Sequence, residues 1–158
     1  MTSNDKSDAV IGRRTASRIG YAIAVVANLV LLFIVNNLLA WGWVSFLTDD
    51  FEQLLPIVSL SLVVGAGANF AFIFYNAQWF RSFGQIVQNV VSFFVIVGTL
   101  KIFPFDFSAY RSNWTAIARV VLTLALVAVS IGTIGELVKM IRALLPEVPS
   151  GSDPEPSP

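Results

Sequence analysis

Cysteine and histidine are both absent from the 158 residues. That removes disulfides, thiol redox chemistry, thiolate or imidazole metal sites, bis-histidine haem ligation and every His-based triad. Charge is scarce as well. Only 13% of residues are charged and 56% are hydrophobic, whereas a soluble domain carries about 25% charged residues. So few charges do not cover a water-facing surface, and the solvent implied is lipid. Ten basic and ten acidic residues cancel. With a pI near 6.2, nothing points to nucleic acid as a partner.

What the chain does have is four long apolar runs, reflected in a mean hydropathy of +0.74. Residues 1–18 are polar and mixed in charge, with Arg13, Arg14 and Arg18 near their end. They read as a mobile basic tail. From Ile19 to Leu47 no residue is charged, and a spanning helix needs about 20 residues. The run exceeds a signal-peptide core of about 7 to 15 residues and ends in Trp41-Gly42-Trp43, so a retained anchor is expected.

The acidic connection Thr48 to Gln53 follows, with Asp49 and Glu52 at capping-box spacing and Pro56 soon after. A brief turn, a bend and a second span are expected. Arg81 to Gln85 reads as a tight hairpin, and Pro104 ends the third span. The aromatic, polar connection 104–113 suits a headgroup region. From Pro146 onward, five prolines in thirteen residues predict disorder.

The expected architecture is an all-α, integral membrane four-helix bundle with short loops and disordered polar tails. Its parts are a tail at 1–18, a four-span domain at 19–142 and a Pro-rich tail at 143–158. The spans fall near 21–43, 55–80, 86–103 and 114–140. Seven Lys and Arg lie on the side bearing both termini and three on the other. This bias places both termini in the cytoplasm.

Arg119 lies only five positions after Trp114. Its long side chain either snorkels to the outer interface or joins an ion-pair cluster with Asp50, Asp106 and Arg111. Glu136 is the natural coupling carboxylate of a transporter, but Lys139 follows at i+3, and pairing on one helix face is the plainer reading. Amides in lipid need partners. Asn28 and Asn69, well inside their spans, are expected to hold helices together rather than line a path. Gly65 falls in the small-residue pattern Ser61-x-x-x-Gly65. Ala128, Gly132 and Gly135, with Ala125, form a small-residue face on the fourth span. These faces pack helices within the bundle or between subunits.

Both outer connections place acid beside phenylalanine: Phe46 to Phe51 around Asp49-Asp50, and Phe103-Pro104-Phe105-Asp106-Phe107. This can be read as a duplicated two-helix unit or a shared binding rim. Together with Leu54-Leu55-Pro56, these stretches resemble small four-span bacterial membrane proteins of unassigned function. The resemblance extends over about residues 19–142 and implies a topology but no activity.

No cofactor or metal is expected. The function expected is a non-enzymatic accessory or structural subunit, with the bilayer as environment and a second copy or a membrane complex as partner. The alternative is a small oligomeric transporter or channel. Small multidrug-type exporters rely on a carboxylate within span one, and span one here has none. Intramembrane aspartyl, Ser–His and zinc mechanisms all lack their residues.

Overall fold

The computed structural model describes residues 3–110 and 113–145, with side chains from residue 15 onward. It contains four α-helices: α1 (Ser3–Trp41), α2 (Leu55–Phe74), α3 (Gln78–Ile102) and α4 (Trp114–Leu144), with a 3-10 turn at Asp49–Gln53 before α2. The described part is thus all-helical, as expected. Segments of all four helices are long and apolar enough to cross a membrane: Thr15–Trp41, Leu55–Phe74, Gln78–Ile102 and Trp114–Leu144. The shortest has 20 residues, which at about 1.5 Å each matches a hydrocarbon core of roughly 30 Å.

Two boundaries differ from expectation. The first helix begins at Ser3, where a mobile tail was expected through Arg18. Residues 3–18 contain no proline, and a helix already nucleated by the apolar segment extends at little further cost. The expected hairpin at Arg81–Gln85 is instead helical, and the chain turns at Tyr75–Ala77. Gly84 lies within that helix. It serves close packing rather than a turn: a Cβ there would lie 2.5 Å from Cζ of Phe72. The expected disorder from Pro146 onward concerns residues outside those described.

Pro56 occupies the first turn of α2, where the missing N–H costs nothing. α3 ends at Phe103, which adopts left-handed φ and ψ of 47° and 66°, and Pro104 prevents continuation. Gly42, at φ 61°, supplies the corresponding turn after α1 without a Cβ penalty.

α1 packs along α2 and α3 along α4, while α2 meets α3 less extensively; α1 and α4 make no comparable contact. The bundle is therefore two helical hairpins joined along one seam. Its apolar interior is thin. Among the described residues, Leu54, Ala66 and Phe72 are the buried hydrophobic residues, with Pro104 also enclosed. Phe33, Val63, Phe74, Leu124 and Ile131 all point outward, more than half exposed.

Candidate functional site

At the end of the bundle carrying the long connections, the two acidic-aromatic loops pair with each other. Leu47 and Phe105 form an antiparallel bridge. The Thr48 N–H donates to the Pro104 carbonyl at 3.0 Å, and the Asp106 N–H donates to the Phe46 carbonyl at 2.8 Å. Phe46 stacks on Phe107 with ring centroids 5.2 Å apart, and Phe105 stacks on Phe107 at 6.0 Å. Phe105 and Phe107 alternate onto one side of the bridge, and the contacts of Phe46 with both rings gather the three into one cap. Beside it lies an apolar recess of about 330 Å³ lined by Phe46, Phe107, Tyr110 and Trp114.

Asp50, Asp106 and Arg119 do not form an ion-pair cluster. Asp50 accepts a hydrogen bond from the Gln53 carboxamide at 3.1 Å. Asp106 accepts one from the Ser108 N–H at 2.9 Å, which holds its carboxyl below the usual aspartate range. Arg119 places its guanidinium carbon 4.4 Å from the centroid of the Phe103 ring. Facing a ring satisfies a guanidinium without desolvating a carboxylate. Arg111, the fourth member expected, lies outside the described residues.

The opposite end, where the α2–α3 turn sits, holds a polar cavity of about 270 Å³. It takes Tyr21 from α1, Phe72 from α2, Gln78, Arg81, Ser82 and Gln85 from α3, and Glu136 and Lys139 from α4. The Arg81 Nη1 donates to the Tyr21 hydroxyl at 3.3 Å, and that hydroxyl donates onward to the Asn76 carboxamide at 3.5 Å. Glu136 pairs with Lys139 at 2.7 Å, the sole ion pair among the described residues. Ser82, the buried polar residue of this end, is 3% exposed.

Sequence reasoning named Glu136 and its pairing but not Tyr21, Arg81 or the glutamines. Their signal was present: residues 78, 81, 82 and 85 follow the i, i+3, i+4, i+7 spacing of one helix face. Placing a hairpin across Arg81–Gln85 hid it.

The packing residues divide. Gly65 is buried against α1, where an added Cβ would meet the Asn28 Oδ1 at 2.8 Å. Asn28 itself donates to the Ala24 carbonyl of its own helix at 2.8 Å, and Asn69 donates to the Gly65 carbonyl at 2.7 Å. The amide hydrogen bond between α1 and α2 comes instead from Asn36, which donates to the Ser59 hydroxyl at 3.0 Å. Gly132 faces Asn89 of α3, at 3.6 Å from a notional Cβ to Nδ2. Ala128 and Gly135 are exposed, and nothing lies within 4 Å of a Cβ at 135.

Among the described residues no three acidic side chains converge where a metal ion would sit. What the cavity offers is hydrogen-bond donors and fixed charge. Compared with known protein families, characterised proteins and solved structures, the chain matches none.

Proposed function

We propose that the chain is a multi-pass protein of a bacterial plasma membrane, with both termini cytoplasmic, acting as a non-enzymatic accessory or interaction subunit. The observation that carries this is the inverted surface. Large apolar side chains face outward along all four helices, and the buried apolar side chains among the described residues are only Leu54, Ala66, Phe72 and Pro104. In water such a surface would drive aggregation, whereas in lipid it is the solvated state. The unclosed side between α1 and α4 and the exposed Ala128 and Gly135 on α4 leave room for a neighbouring helix, since small residues let backbones approach.

Cross-linking in native membranes followed by purification in mild detergent tests the reading. A reproducible second copy or membrane partner is expected. Recovery of an uncross-linked monomer alone would remove it. Tags at the two termini should label from the same face of sealed vesicles.

A second reading, a small oligomeric transporter, draws on one observation: a carboxylate, Glu136, lines a polar cavity. Liposome flux separates the two. Ion or dye flux that disappears in Glu136→Gln or Asn28→Leu would favour transport over the subunit reading.

A further inference from the structure

We infer that the cavity at the α2–α3 turn binds a phosphate-bearing anion through Arg81. The charge count comes first. Arg81, Lys139 and Glu136 line the cavity, and Glu136 is already engaged with Lys139 at 2.7 Å. Arg81 is left as an excess positive charge with no carboxylate within ion-pair distance among the described residues. A guanidinium has five N–H donors. Here one is used, on the Tyr21 hydroxyl at 3.3 Å, and Nε is buried with no acceptor. Buried donors without partners are rare and call for an explanation, an unseen ion among them.

The surroundings supply further donors, and the one carboxylate among the lining residues, Glu136, is engaged by Lys139. The carboxamides of Gln78 and Gln85 reach the cavity from the same helix face. Those residues form the first turns of α3, whose N-cap Ala77 contributes no side-chain hydrogen bond. The first N–H groups of that helix therefore add their partial positive charge at the same place. A ligand that only accepts hydrogen bonds, carries negative charge and fits about 270 Å³ meets these demands. Guanidinium geometry suits phosphate oxygens in particular. Two sources offer that group: an anionic lipid headgroup, or free phosphate in solution. The lipid source rests on the membrane reading above; the phosphate source does not.

Trp79 is a built-in reporter. It contacts Phe80 at 5.7 Å between centroids, and Phe80 contacts Phe72, a cavity wall, at 5.8 Å. The experiment uses the full chain in maltoside detergent with Trp41, Trp43 and Trp114 replaced by Phe, leaving Trp79 as the sole emitter. Inorganic phosphate is titrated in one arm and short-chain phosphatidylglycerol in the other, with short-chain phosphatidylcholine as the zwitterionic comparison. A saturable change is expected in at least one anionic arm. Response to phosphate marks a solute site, and response to phosphatidylglycerol alone marks a headgroup site. Arg81→Gln should weaken binding at least tenfold, and Gln78→Ala, which leaves the Tyr21 contact intact, roughly threefold. Lys101→Gln, at the opposite end, should change nothing. No saturable response in either anionic arm, equal response to phosphatidylcholine, or equal affinity in wild type and Gln78→Ala with Arg81→Gln would overturn the assignment. The subunit reading, judged by cross-linking, stands or falls separately.

Discussion

The Asn28 carboxamide of α1 lies directly over the Cα of Gly65 in α2, so that a Cβ at 65 would meet Oδ1 at 2.8 Å and Cγ at 3.3 Å. Asn28 cannot swing aside without losing its bond to the Ala24 carbonyl, and Asn69 holds the Gly65 carbonyl from the other side. Gly65→Ala should therefore destabilise the α1–α2 hairpin by about 1–3 kcal/mol, the usual range for overpacking. The double variant Asn28→Ala/Gly65→Ala should recover most of that loss. Thermal unfolding of the four-member mutant cycle in detergent measures it. Simple additivity would mean the two residues do not bear on each other.

Gly84 of α3 meets a harder obstacle. Its notional Cβ lies 2.5 Å from Cζ and 2.8 Å from Cε1 of Phe72, a ring only 1% exposed and held edge-on by Tyr21 and Phe80. A rigid ring wedged against two others yields only by displacing them. Gly84→Ala should cost more than Gly65→Ala, about 3 kcal/mol, and loosen the α2–α3 seam that joins the hairpins. The midpoint of thermal unfolding should fall further than for Gly65→Ala; an unchanged midpoint would contradict the packing.

These two glycines show what the residues made legible and what they did not. Four apolar helices follow from run length and lack of charge alone, since little else satisfies backbone groups in lipid. Gly65 was identifiable by its small-residue spacing. The hairpin expected at Arg81–Gln85 contains Gly84, and a glycine after Arg81 and Ser82 looks the same in one dimension whether it serves a turn or a ring from another helix. A third span beginning only at Ile86 leaves out α3's first turns, and with them the face bearing Gln78, Arg81, Ser82 and Gln85. Asn28 and Asn69 were placed on the right helices, but their hydrogen bonds return to their own backbones. Local acceptors at i−4 are always within reach in a helix, and no pattern in the sequence reports that competition.

Acidification should loosen the Phe103–Ser108 turn. The Ser108 N–H holds the Asp106 carboxyl below its ordinary value. A carboxyl whose folded pKa is depressed contributes stability above its unfolded value, which is lost as pH falls through the folded one. The window therefore opens near pH 4, the ordinary aspartate range, and extends downward. Amide exchange at Ser108, corrected for intrinsic rate, should show protection falling across that window. Asp106→Asn keeps an acceptor oxygen but cannot titrate, and its protection should stay flat; a matching pH response in that variant would assign the effect elsewhere.

Arg119 offers a test of whether the loop end is held by rings or by ion pairs. Its guanidinium sits 4.4 Å from the Phe103 centroid, and Phe103 carries the left-handed backbone that ends α3, a conformation unfavourable for a bulky residue. The contacts of Phe103 with Arg119 and, edge-on at 5.5 Å, with Phe105 offset that strain. Replacing Arg119 with Gln removes the ring contact and should cost about 0.5–2 kcal/mol. Asp50→Asn should leave stability unchanged within about 0.5 kcal/mol, as expected for an exposed carboxylate with no basic partner among the described residues. Salt discriminates further. Raising ionic strength screens exposed ion pairs but weakens a ring-face contact much less, so the Arg119→Gln penalty should survive high salt. A penalty that vanishes in salt, or an Asp50→Asn loss equal to that of Arg119→Gln, would restore an ion pair between the two.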